Sequence, residues 1–128
     1  MRFMMMVKAD ADYEAAKPPK PELMAAIGTL SAEMQRAGVL LENGGLAPSA
    51  QGAKVRVARG RVSVKDGPFT EAKEVVGGYA ILRAGSRQEA IELGKRFMQI
   101  HADTMGSSWE GELEIRQLLD FGPEKGSQ

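Results

Sequence analysis

The sequence contains no cysteine and one histidine. The first absence excludes a disulfide scaffold, an iron–sulfur cluster and a thiolate zinc site. The second removes multi-histidine metal sites and any catalytic arrangement that needs a second imidazole. Aromatic residues are scarce, at 5%. An excess of either charge is missing too, since 17 Lys and Arg balance 17 Asp and Glu. Proteins that work on phosphate backbones usually carry a surplus of positive charge, so nucleic acid is not an expected partner. No apolar run approaches the ~20 residues of a membrane helix. The stretch Phe3 to Val7 is too short for a signal-peptide core and runs into Lys8, Asp10 and Asp12. No membrane contact is expected, and the expected location is the cytoplasm. Phosphate-binding glycine motifs and a serine nucleophile elbow are absent as well.

What remains is a chain of 128 residues, 43% of them hydrophobic. That length fits one domain over 1–128, with 120–128 as a flexible tail. Phe3-Met4-Met5-Met6-Val7 is apolar on both alternating faces, which predicts a buried strand. Segment 10–21 is small, charged and proline-rich, a loop leading to a helix with Pro21 in its first turn. Leu23, Ile27, Leu30 and Met34 then recur at helical spacing, and Gly38 fits the C-terminal cap. A strand over 39–45 follows. Lys54 to Val57 and Arg61 to Val64 alternate on either side of Arg59-Gly60, which predicts a hairpin. Asp66-Gly67-Pro68 stops it, and Tyr79 to Arg83 is the next strand. Ser86 with Glu89 matches a capping box and opens a second helix, whose buried stripe includes Ala90, Leu93, Gly94 and Phe97. A polar loop over 103–111 around Trp109 leads to a last strand near Leu113 to Gln117.

Without the hairpin this order is β-α-β-β-α-β, a ferredoxin-like α+β core. Right-handed crossovers put both helices on one sheet face. The other face is then bare yet partly apolar, so it needs cover. A second copy of the same sheet is the economical cover, which predicts a homodimer through the open sheet face, a dimeric α/β barrel.

Eight methionines invite a Cu(I) reading. Met4, Met5 and Met6 alternate faces and cannot converge on one ion, so core packing explains them better. The hairpin carries Lys54, Arg56, Arg59, Arg61 and Lys65 with no acid between 53 and 65. Such a face could grip an acidic ligand or partner, pair with Glu110, Glu112 and Glu114, or simply keep an edge soluble. His101 is the side chain whose ordinary pKa suits neutral acid–base chemistry. Its simpler role is a cation near a helix C-terminus, where the dipole favours it.

The densest local signal is Asp66-Gly67-Pro68-Phe69-Thr70-Glu71-Ala72-Lys73-Glu74, followed by Gly77-Gly78-Tyr79. On chemistry alone it is a turn with an apolar anchor, Phe69. This stretch resembles the signature of the DGPF-type branch of the YCII-related family. Met4 to Ala9, Ala37 to Leu40, Gly45 to Ser49 and Glu112 to Gln117 are similar to that branch as well, so the resemblance covers roughly 3–119. It implies a ferredoxin-like fold and a dimeric barrel, and little chemistry. Some members of the wider family look like small enzymes using a His–Asp pair with the His on the first helix. Here that helix has no His, and the dyad does not carry over.

Two readings follow. In one, a small organic or anionic ligand binds in the barrel or dimer cleft, contacted by Asp66, Gly67, Pro68 and Phe69 with Arg56, Arg116 and Glu42. Any catalysis would be metal-independent proton transfer, with Asp66, Glu74 or His101 as acid or base and Tyr79 as hydrogen-bond donor. No metal or cofactor is implied. In the other, the protein is a non-catalytic assembly or regulatory module whose DGPF loop is structural.

Overall fold

A computed structural model describes residues 1–69 and 75–119. Glu74 and the 120–128 tail lie outside the described residues. The architecture is α+β. Among the described residues its elements are β1 (Arg2–Lys8), α1 (Ala11–Glu14), α2 (Pro21–Arg36), β2 (Leu40–Gly45), β3 (Ala53–Ala58), β4 (Arg61–Asp66), β5 (Val76–Arg83), α3 (Arg87–Met105) and β6 (Leu113–Gln117), with a 3₁₀ turn at Ser49–Gln51.

β2, β5, β1 and β6 form one antiparallel sheet in that order, and β3 pairs with β4 in a separate two-stranded sheet. β1 and β2 both run antiparallel to β5, which lies between them. β5 and β6 likewise flank β1. The β1–β2 connection, with α1 and α2, and the β5–β6 connection, with α3, each therefore link two parallel strands across an intervening one. Alternation in β1 sends Phe3 and Met5 into the core and leaves Met4 and Met6 half-buried on the opposite face. The core joins Met5, Leu30, Met34, Leu40 and Leu82, the last fully buried.

Local chemistry explains the helix ends. Pro21 stands at the start of α2, where a missing N–H costs nothing. Gly38, just past α2, has φ 74°, the left-handed turn that glycine takes without a Cβ penalty. The Ser86 hydroxyl accepts from the Glu89 N–H at 3.1 Å, and the Glu89 carboxylate accepts from Gly85 N–H at 3.1 Å. Two segments depart from the sequence expectation. Residues 10–21 hold the short helix α1, nucleated by the Asp10 carboxylate accepting from Tyr13 N–H at 2.7 Å. Asp103 to Met105 form the last turn of α3 rather than a loop.

α3 lies close on the sheet because Gly94 has no side chain. A Cβ there would sit 2.8 Å from Ile115 Cδ1 and 3.2 Å from Leu113 Cδ2. Gly94→Val is expected to lower stability by about 2 kcal/mol through overpacking. Thermal melts check this, and an unchanged midpoint would contradict the close approach.

Candidate functional site

Phe97 and His101 are one helical turn apart on α3 and share a face. His101 is buried, with 7% of its surface exposed. Its Nδ1 lies 3.0 Å from the Phe97 carbonyl oxygen. That oxygen only accepts, so Nδ1 carries the proton in the neutral ring and Nε2 is the acceptor. Nε2 has no hydrogen-bond partner among the described residues. The ring lies between Phe97, at 4.7 Å between centroids, and Trp109, stacked at 5.3 Å and 24°.

Trp109 is itself held from two sides. Its Nε1–H donates to Asp10 Oδ2 at 3.2 Å. Its ring also lies on Gly111, where a Cβ would come within 2.9 Å of Cζ3. Asp10 thus caps α1 and anchors Trp109 at once. A run of contacts joins β1's end, α1 and the 109–111 loop around His101. His101 is thus packed among aromatic rings rather than standing free at the helix end. The ring is enclosed, one turn inside a helix that extends to Met105. Asp103 faces elsewhere and accepts from Gln99 at 2.8 Å.

His101 lines a cavity of about 560 Å³ between α1, the start of α2 and the C-terminal half of α3. Leu23, Ile27, Phe97 and Met105 supply apolar wall, while Lys17 and Lys20 supply positive charge. Lys17 is shared with exposed Asp12 at 3.4 Å. A smaller space of about 250 Å³ shares Met24, Ile27 and Phe97 and reaches toward the sheet. Size, apolar walls and a few converging polar groups are what small-molecule sites share.

The DGPF stretch sits outside this cavity but is wired to its wall through Ser49. The Ser49 hydroxyl donates to Glu14 Oε2, and its backbone N–H donates to Glu14 Oε1 at 2.8 Å. The same hydroxyl accepts from Phe69 N–H at 3.1 Å. Gly67 N–H donates to the Gly52 carbonyl at 2.9 Å. A Cβ on Gly67 would fall on the Ser49 carbonyl group, 2.6 Å from its carbon. Glu14 belongs to α1, whose Tyr13 hydroxyl donates to the Leu46 carbonyl. The loop therefore clamps α1, and α1 forms part of the cavity wall.

The Ser49 hydrogen bonds, side chain first and backbone second, hold the Glu14 carboxyl below its ordinary range. A depressed carboxyl stabilises the fold above its unfolded value and loses that contribution as pH falls through the folded value. Ser49→Ala should therefore lower the melting temperature most near neutral pH, with the gap from wild type narrowing in acid. Melts between pH 7 and pH 3 check this, and a gap independent of pH would contradict it.

The other expected site residues are dispersed. Asp66 ends β4, exposed, opposite Ala53. Gly67, Pro68 and Phe69 make the loop just described. Phe69 also lies under the Lys54 ammonium at 4.4 Å, beside a cavity of about 470 Å³ lined by both. Arg56 is exposed on β3. Tyr79 donates to Glu42 at 2.7 Å, and that hydrogen bond, ahead of burial and the Glu42 charge, raises the phenol pKa. Glu42 is on edge strand β2, and Arg116, 3.5 Å from Glu114, is on the opposite edge strand β6. The fold brings Glu42 and Tyr79 together, and Gly67 and Phe69, but among the described residues no candidate other than His101 lines the 560 Å³ cavity. Sequence reading missed Asp10, Tyr13 and Trp109. The signal available for Trp109 was its rarity, as the single Trp in the chain, ahead of a glycine two residues on.

Among the described residues, no cluster of three or more His, Cys, Asp or Glu is placed to hold a metal ion. No described helix is long and apolar enough to cross a membrane. The family model of the YCII-related domain matches residues 1–107. The chain is also similar to an uncharacterized protein of Rhizobium meliloti (strain 1021), 26% identical over 108 residues that cover 84% of this chain and 82% of that one.

Proposed function

The chain belongs to the YCII-related family, and from that premise we propose that it is a DGPF-type member that binds a small organic acid in the His101 cavity. The observation that carries this is the buried imidazole, its Nδ1 tied to the Phe97 carbonyl and its Nε2 left for a guest. Apolar wall suits a hydrocarbon body, Lys17 and Lys20 suit a carboxylate, and an acid that passes its proton to Nε2 makes His101 an imidazolium whose Nε2–H donates to that carboxylate. The strand order β2-β5-β1-β6 supports the ferredoxin-like reading of the core. Half-buried Met4, Met6, Tyr79 and Ile81 on the face without helices support a homodimer through that sheet face.

Were the site catalytic, His101 would be its acid or base, with Nε2 moving the proton and the Phe97 carbonyl fixing the tautomer. Glu74 would be a further acid or base. The DGPF loop buttresses the wall through Ser49 and Glu14. The test is a high-resolution crystal structure of the protein as purified, with mass spectrometry of its extracted small molecules. The expected result is an acid with an apolar body against His101. An empty cavity, together with no calorimetric binding of octanoate, would contradict the reading.

A further inference from the structure

The space beneath α2 is larger than a packed core leaves. Protein interiors hold few voids bigger than a water molecule. Here about 250 Å³ is unfilled between α2 and the sheet. The sequence of β5 explains it. Alternation sets Gly78, Ala80 and Leu82 on the face that carries the helices, opposite Val7, Met5 and Phe3 of β1. Gly78 and Ala80 are small, and Met24 and Ile27 of α2 do not fill the room they leave. A Cβ on Gly78 would have no atom of α2 or α3 within 4 Å. On Gly45, its partner in β2, the neighbour among the described residues would be the Tyr13 hydroxyl at 3.5 Å.

The chemistry of the wall changes from one space to the next. Asp10, Asp12, Lys17 and Lys20 line the larger cavity together with His101. Among the described residues, no charged side chain lines the smaller one. Its wall includes Leu30, Leu40 and Leu82 with three methionines, Met5, Met24 and Met34. Ser31, Asn43 and Tyr79 are its uncharged polar residues. Thioethers are flexible and adapt to varied hydrocarbon shapes. The two spaces share Val7, Met24, Ile27, Gly78 and Phe97, so one leads into the other. Met24 stands at this junction and is 50% exposed, which leaves its side chain room to swing.

We propose that the acid held at His101 is an unbranched fatty acid whose chain passes Phe97 and ends in the space under α2. This rests on the acid-binding reading and specifies the class of ligand. Charge fixes the direction. The carboxylate stays with Lys17, Lys20 and His101, because past the junction no cation meets it. Shape fixes the class. The unfilled space has two lobes joined at shared residues, and a flexible chain follows both where a rigid ring system fills one. Each methylene buried along the way strengthens binding about fourfold. Phe97 serves both lobes, since its carbonyl sets the His101 tautomer and the residue borders the path of the chain.

Calorimetry of the wild-type protein with hexanoate, octanoate, decanoate and dodecanoate, each below its micelle threshold, reads the dependence on length. Affinity should rise about fourfold per methylene up to dodecanoate. Octanoate fits within the larger cavity, whereas the end of dodecanoate needs the smaller. Ala80→Leu fills that smaller space. It should leave octanoate binding within about twofold and weaken dodecanoate binding by at least about 20-fold. A filtered NOE spectrum of ¹³C-labelled wild-type protein with unlabelled dodecanoate needs no variant. The terminal methyl should contact Leu40 and Met34, and the C2 protons should contact the His101 ring. Equal affinity for octanoate and dodecanoate would overturn the proposal while leaving acid binding at His101 intact. So would a terminal methyl in contact with Lys17 or Pro18 instead, or a folded Ala80→Leu protein with an unchanged preference for dodecanoate. If no acid of any length binds, the acid-binding reading itself fails and the chain proposal falls with it.

Discussion

His101→Phe is expected to weaken binding of an apolar carboxylate such as octanoate by about 10- to 100-fold, the range for losing the charge-assisted hydrogen bond that Nε2–H donates once the bound acid's proton is on the ring. Phenylalanine keeps a flat ring between Phe97 and Trp109, so the cavity wall is preserved while both nitrogens are removed. The comparison isolates chemistry from shape. Isothermal titration calorimetry reads the affinity, and a thermal melt verifies that the fold is intact. Binding unchanged from wild type would place the ligand away from Nε2. A parallel change, Gly111→Ala, should weaken binding less, since it displaces Trp109 and leaves the imidazole in place.

Gly67→Ala should be the most destabilising single methyl addition in the described chain. The new Cβ would meet the Ser49 carbonyl, which is backbone and cannot swing aside as a side chain can. Either the DGPF loop or the 3₁₀ turn at Ser49–Gln51 must move. The expected cost is about 3 kcal/mol, or roughly 10 °C in melting temperature at this chain length. Because Ser49 also holds Glu14, octanoate binding should weaken alongside stability. A variant that melts like wild type would mean that the loop does not clamp the 3₁₀ turn. One that melts early but binds normally would separate the loop from the cavity wall.

Periodicity made most elements legible. Leu23, Leu30 and Met34 marked α2, Ser86 and Glu89 marked the start of α3, and Arg59-Gly60 marked the hairpin. Those signals are local, and local rules suffice for them. α1 was not legible, because four residues give no period, and its stability comes from the Asp10 cap and from Ser49 gripping Glu14. The end of α3 was misjudged because Asp103 and Thr104 are poor helix formers, yet Gly106 closes the helix only after Met105.

The candidate site was less legible than the fold. His101 drew notice as the only imidazole, but its enclosure depends on Trp109, eight residues on, and Asp10, 91 residues back. Contacts of that span leave no spacing pattern. The DGPF stretch attracted a catalytic reading by its density of turn residues. Its glycine is explained by close approach of the Ser49 carbonyl and its phenylalanine by the ring's place under the Lys54 ammonium and beside Gly52. Arg56, Glu42 and Arg116 could not be placed relative to one another without the strand order, which sets the last two on opposite edges of the sheet.

The single imidazole also supplies the most direct measurement. In a ¹H–¹³C spectrum the protein has one histidine Hε1–Cε1 signal, and it belongs to His101. Titration with octanoate should shift that signal saturably, with the same midpoint as calorimetry. A signal that stays fixed while calorimetry records binding would contradict the claim that the His101 cavity is the ligand site.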